Sequence, residues 1–293
     1  VTSIAPHNAR LGILLMIATT FVFAVQDGIS RHLAGEYNVF MVITIRYWFF
    51  ALFVCAIALR QPGGLRKVAA SKQKLLHIGR AVLVLAEICV MVTSFTVLGL
   101  VESHAVFVSY PLLVAALSGP VLGESVGWQR WAAIGIGFLG VMVILQPGSG
   151  VFQVEALIPL LAALLFALYG LLTRYAARRD CAETSFFYTG VAGMVAITPL
   201  GLWHWEAMTT PDWGWMALLC IIGALGQWLL IRCYEVAEAS TVQPFAYFQL
   251  PFGAALGVLA FGEMLRINVI LGAGLVVAAG LFTFWREHLK RSA

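Results

Sequence analysis

Ten apolar runs, most of them about twenty residues long, divide this chain from end to end. A helix of that length crosses a hydrocarbon core of ~30 Å, so the repetition leaves little besides a bundle of membrane-spanning helices. The balance of residues agrees: 61% are hydrophobic, only 11% are charged, and mean hydropathy is +0.92. Soluble domains carry about 25% charged residues. A water-facing surface on 293 residues would need polar side chains that this chain lacks.

Breaks at charges, Gly/Pro clusters and tryptophans set the expected spans. The first five are Leu11–Leu33, Val39–Leu59, Leu75–Leu100, His104–Leu122 and Trp131–Leu145. The second five are Val154–Thr173, Thr184–Trp203, Trp213–Tyr234, Ser240–Phe261 and Asn268–Trp285. No segment reads as a cleavable signal peptide, because the first run continues to Leu33 without a small-residue cleavage site. With the N-terminus inside, 15 of the 18 lysines and arginines fall on the cytoplasmic side, and only Arg31, Arg46 and Arg266 lie toward the outside. That bias predicts an inner-membrane protein with both termini cytoplasmic, hence an even number of spans. The net charge of +4 is accounted for by this orientation. The charges form no basic face, so nucleic acid is not an expected partner and the lipid bilayer is.

An internal repeat is legible as well. Phe23-Ala24 with Ser30-Arg31 is answered by Phe166-Ala167 with Thr173-Arg174 at an offset of about 143 residues. Leu122-Gly-Glu124 is answered by Phe261-Gly-Glu263 at about 139. Behind each Gly-Glu comes a glycine-rich run, Gly135, Gly137 and Gly140 in one and Gly272, Gly274 and Gly280 in the other. The division is therefore 1–148 and 149–293, five spans each. An odd number per copy makes the second copy enter from the opposite side, and inverted repeats are a recurring construction of secondary transporters.

Ionisable groups inside spans cost ~2.5–3.5 kcal/mol each and are candidates for function. Asp27 lies ~24 Å along the first span and Arg46 ~10 Å from the outer end of the second, depths that allow an ion pair. Two roles fit such a pair, a static one that sets helix packing and a gate or substrate-charge contact. Glu87 lies ~18 Å into the third span. An unpaired carboxylate at that depth favours its neutral form and can take up and release a proton; a buried, paired acid is the other reading.

Pro111, Pro244 and Pro251 each remove a ladder bond within a span. Broken helices at membrane depth are tolerated where they line protein or a wet cavity. The residues expected to line it are Gln26, Tyr110, Tyr169, Gln227, Trp228, Tyr247 and Gln249, although for any one of them helix–helix hydrogen bonding has the stronger claim. Glu124 and Glu263 each stand a few residues before a new helix and are read as N-terminal caps. Gly135-x-Gly-x-x-Gly140 spells a dinucleotide fingerprint, but it lies inside a span, where close helix packing is the better reading. Neither a P-loop nor HExxH, GxSxG or a metal-type cysteine spacing occurs, and Ser103-His104 are adjacent, poor geometry for a nucleophile and its base. No enzyme, cofactor or metal is expected.

Two stretches carry a resemblance. Leu98-Gly-Leu-Val-Glu-Ser-His-Ala105 leads through Pro111 to Gly123-Glu124, and Tyr234-Glu-Val-Ala-Glu-Ala-Ser240 leads through Pro251 to Gly262-Glu263. With Phe40-x5-Arg46, this pattern resembles the EamA-type drug/metabolite transporter superfamily across nearly the whole chain, and within it the bacterial amino-acid exporters of the YddG kind. The resemblance implies ten helices in inverted repeats around a central cavity, with the fifth and tenth at the periphery. It also implies export of aromatic and other neutral amino acids, or related metabolites, by alternating access. The first half lacks a counterpart to Pro244, which leaves the symmetry of the two cavity-lining helices open. An uptake carrier for another metabolite, and a channel or non-transporting membrane scaffold, are the alternatives.

Overall fold

In the computed structural model, residues 9–61, 63–122, 128–145, 154–176, 179–236 and 243–292 are described. They form helices and connecting turns, with no strand among them. Helix α1 (Ala9–Glu36) is followed by α2 (Val39–Arg60), the short α3 (Gly64–Val68), α4 (Lys74–Leu98), α5 (Leu100–Phe107), α6 (Tyr110–Leu122) and α7 (Trp128–Leu145). The second half holds α8 (Leu157–Ala176), α9 (Ala182–Trp203), α10 (Thr210–Val236), α11 (Gln249–Phe261) and α12 (Ile267–Ser292), with a 3-10 segment, Gln243–Phe248, leading into α11. Among the described residues, five helices are long and apolar enough to cross a membrane: Arg10–Glu36, Val39–Arg60, Lys74–Leu98, Glu183–Trp203 and Thr210–Leu230. Shorter apolar helices cover Leu100–Val114, Trp131–Ile144, Leu157–Thr173, Phe245–Phe261 and Ile267–Phe282.

The prolines mark the interruptions. α5 ends at Phe107 and α6 begins at Tyr110, so Pro111 stands in the first turn of the new helix, where its missing N–H leaves no ladder bond unmade. Pro244 and Pro251 hold equivalent places, second in the 3-10 segment and third in α11. α4 and α5 meet at Gly99, whose φ of 87° only glycine adopts readily.

The helices of one half pack mainly on those of the other: α1 on α10 and α11, α2 on α9, α4 on α8 and α9, α5 on α11, and α7 on α12. Lipid tails offer no hydrophobic drive for such contacts, so close approach and interhelical hydrogen bonds must hold them. Gly140 and Gly272 show the first device. A Cβ on Gly140 would stand 2.7 Å from the Gly272 carbonyl oxygen, so α7 and α12 cross backbone to backbone. Two of the three fingerprint glycines, Gly137 against Leu112 and Gly140 against Gly272, thus serve helix packing. The second device joins α2 to α9, where Trp48 Nε1 donates to Thr198 Oγ1 at 2.9 Å, which explains a tryptophan deep within a span. Outside, large apolar side chains such as Leu52 and Val195 stand exposed, as a lipid-facing surface requires.

Candidate functional site

The interruptions at Val108–Ser109 and before Gln249 bring two helix starts together inside the bundle. Between them lies a cavity of about 20 Å³ lined by His104, Phe107, Val108, Tyr110, Ala246, Tyr247, Gln249 and Leu250. By the ~10–15 Å³ that one water needs, this conformation admits water and excludes a metabolite. Tyr110, Tyr247 and Gln249 stand on its wall. The Tyr247 hydroxyl is buried without a hydrogen-bond partner among the described residues.

Asp27 does not meet Arg46. Its Oδ2 lies 3.1 Å from His104 Nε2 and accepts from Gln249 Nε2 at 3.1 Å. These contacts join α1 to α5 and to α11, hence both halves. The expected Asp27–Arg46 pair fails because His104 sits deeper in the bundle and takes the carboxylate first: its ring is 3% exposed, stacked on Phe95 at 5.2 Å, with Gly253 of α11 against its other side. Arg46 lies near Gln26 and Gly223 instead, without an ion pair among the described residues. Glu87 is buried and has no hydrogen-bond partner among them; the charges it senses are Asp27 and Arg46. Gln26 is buried too, its Oε1 unsatisfied. Gln227 is half-buried. Trp228 falls on the exposed apolar stripe of α10 with Ile221 and Leu225, the Arg232 guanidinium over its ring at 5.7 Å. That stripe is part of the apolar exterior, away from the cavity.

From the cavity an aromatic series runs along α8. Tyr110 packs edge-on to Phe166 at 4.9 Å, Phe166 lies 6.1 Å from Tyr169, and the Arg80 guanidinium lies over Tyr169 at 5.2 Å. Tyr169 is thus one step removed from the cavity. Arg80 is 1% exposed and donates to Thr173 Oγ1 at 3.0 Å and to His77 Nδ1 at 3.0 Å. Because Nδ1 accepts, the His77 proton is on Nε2, which donates to Asp180 at 2.9 Å. Hydrogen bonds from Ser71 and His77 hold the Asp180 carboxyl below the usual carboxylate range. At the opposite end of the bundle, Arg31 pairs with Glu263. Glu263 also accepts from the backbone amides of Leu100 and Val101, each at 2.8 Å. It does cap a helix, but that helix is α5 of the other half rather than α12, the next in sequence. Gly99 makes room for it: a Cβ there would come within 2.5 Å of Glu263 Oε1. Glu124 lies outside the described residues.

His104, Arg31, His77 and Arg80 were not candidates from sequence. A Ser-His neighbour pair hides His104, span-end position makes Arg80 look like an orientation signal, and nothing in the sequence singles out His77. The offset repeat was the one available clue for Arg31, since it puts Arg31 and Arg174 at matching places.

An all-helical apolar bundle with a small cavity at paired helix interruptions, mostly apolar and edged by His104 and Gln249, suits a multi-pass membrane transporter. The sequence model of the EamA-like transporter family matches residues 10–146 and again 153–285, and the chain belongs to that family. It is 28% identical to the riboflavin transporter of Vibrio cholerae over 97% of each chain. It is 22% identical to the S-adenosylmethionine uptake transporter of Rickettsia prowazekii, covering 96% of this chain and 95% of the relative. The pseudopaline exporter of Pseudomonas aeruginosa is 25% identical, over 92% and 94%. A solved crystal structure with 16% identity superposes with a TM-score of 0.59 over 94% of this chain and 96% of the other, a likeness of fold alone. Family and relatives together mark a small-molecule transporter of a cell membrane.

Proposed function

We propose that the chain is a secondary transporter that works by alternating access, its ten spans forming two inverted five-helix halves, 1–148 and 149–293, with both termini in the cytoplasm. The observation that carries this reading is the cavity at the paired breaks, two of whose lining residues, His104 of the first half and Gln249 of the second, together hold Asp27 behind it. The double match of the family model supports the division. So does the packing, which joins α1 to α10 and α4 to α8, partners that a two-fold axis in the membrane plane would exchange.

The solute is a small amphipathic metabolite. Its ring or apolar body packs on Tyr110, Tyr247 and Phe107, and a hydrogen-bonding group meets Asp27 and Gln249. Aromatic and other neutral amino acids, exported from the cytoplasm, fit this lining. The named relatives add riboflavin and S-adenosylmethionine to the substrates worth testing, and they include both uptake and export. The test is counterflow in proteoliposomes loaded with each of L-phenylalanine, L-tryptophan, riboflavin and S-adenosylmethionine. A carrier draws labelled solute transiently above equilibrium. Flux without that overshoot identifies a channel and overturns the reading.

A further inference from the structure

We propose that Asp27 and His104 together bind the proton that the carrier exchanges for its solute, an inference that rests on the transporter reading above. The argument is one of hydrogen-bond accounting. His104 Nδ1 lies 2.8 Å from the Leu100 carbonyl oxygen. A carbonyl only accepts, so Nδ1 carries its hydrogen whether the ring is neutral or charged. A neutral ring then presents a bare lone pair at Nε2, and Asp27 Oδ2 stands 3.1 Å from it. Two lone pairs do not face each other at that distance, so the pair holds one proton. Phe95 stacked on one side and Gly253 on the other keep the ring from turning away. Both side chains are largely shielded, at 3% and 15% exposure, which makes the unprotonated pair costly unless another donor replaces the proton.

The cavity supplies the place for that donor, since His104 and Gln249 both line it. A solute ammonium group that reaches Asp27 takes the position of the shared proton. Before the exchange the site holds imidazole, carboxylate and the one proton they share. Afterward it holds neutral imidazole, carboxylate and the bound ammonium, and one proton has passed to water. Proton and solute therefore exclude each other, and the carrier is an antiporter for an amine-bearing metabolite. The same exchange breaks the α1–α5 contact within the first half and leaves the Gln249 contact to the second.

Other charges surround the pair without replacing it. Among the described residues these are Arg31 with Glu263 one turn along α1, Arg46 on α2, Glu87 on α4, and Glu102 on α5 with Arg266 beside α12. On α10, Asp212 is engaged by Tyr37 and His32. The elements at the far side of α5, α8 and the 3-10 segment, present Tyr169 and Tyr247. Glu87 is the proton site that depth alone suggests, but unlike Asp27 it has no hydrogen-bond partner among the described residues to release or regain.

The test uses wild-type proteoliposomes with a trapped pH dye. At equal pH, counterflow of L-phenylalanine or S-adenosylmethionine establishes the carrier. With the lumen one pH unit more acidic, one-for-one exchange drives accumulation up to about tenfold, and the dye reports alkalinisation in step with solute entry. Counterflow without accumulation overturns the proton proposal and leaves the transporter reading intact. No counterflow for either amine overturns the antiport proposal, while counterflow of riboflavin alone would still support a transporter. His104→Gln, normalised to its own counterflow, is expected to lose the gradient response, whereas Glu87→Gln keeps it. The reverse pattern moves the proton to Glu87 and overturns the assignment. Where His104→Gln does not fold, the wild-type dye signal decides.

Discussion

The two ends of the bundle tie the halves together by different chemistry. At one end the link is direct: the Glu263 carboxylate of the second half sits on the Arg31 guanidinium and on the first two amides of α5, all from the first half. At the other end Arg80 reaches Asp180 only through the His77 ring. A direct pair that also satisfies a helix N-terminus loses several bonds at once when it opens. A relay through imidazole depends on one tautomer, because a doubly protonated His77 has no acceptor left for Arg80. The first link is thus made or broken as a unit, and the second weakens with acidity as Asp180 takes up a proton.

The largest effect is expected at Glu263. Glu263→Ala orphans Arg31 and two backbone N–H groups together, which should cost about 3 kcal/mol. Glu263→Gln, retaining an acceptor oxygen, should cost less. Thermal unfolding in detergent measures both, and equal losses would mean that the amides contribute nothing. Next comes His77→Leu, which deprives the buried Arg80 of an acceptor and Asp180 of a donor, at about 1–2 kcal/mol.

Acid sharpens the contrast. Asp180 titrates below its unfolded value of ~3.9, so its contribution is complete above that pH and is lost as pH falls through the lower folded value. A scan of unfolding temperature from pH 7 to pH 3 should therefore show an acid limb in the wild type that Asp180→Asn lacks. The smallest effect belongs to Arg266→Ala. Its bond to Glu102 spans 3.4 Å, and Arg266 is 55% exposed, so the loss should be no more than a few tenths of a kcal/mol. A large one would place Arg266 in the Glu263 link.

Much of this arrangement was legible in the residues, for physical reasons. Apolar run length follows from bilayer thickness, and most helices fall within the expected runs. The fourth run, however, divides into α5 and α6, and Pro111, Pro244 and Pro251 stand at the starts of helical segments rather than breaking a ladder within one. Gly140 was correctly read as a packing residue because a membrane crossing needs small side chains. What sequence could not give was partnership. Asp27 and Arg46 have compatible depths, but depth says nothing of azimuth around a helix, and His104 approaches Asp27 from the better side. Glu263 was read as a cap, yet sequence proximity suggested the wrong helix, since the Gly99 turn that receives it lies more than a hundred residues away. Trp228 was assigned to the cavity by chemistry, while the stripe of Ile221 and Leu225 turns it outward.

Alternation between the two ends is the central claim, and inter-label distances test it directly. Glu36 with Met264 reports the Glu263 end, and Lys72 with Glu183 reports the Asp180 end; all four are exposed and each pair spans the two halves. With the native cysteines replaced and spin labels at these positions in nanodiscs, double electron–electron resonance would follow both pairs as pH and solute are varied. Opposite movements are predicted, one distance lengthening as the other shortens. Two distances that stay fixed under every condition, or that lengthen together, would contradict alternating access.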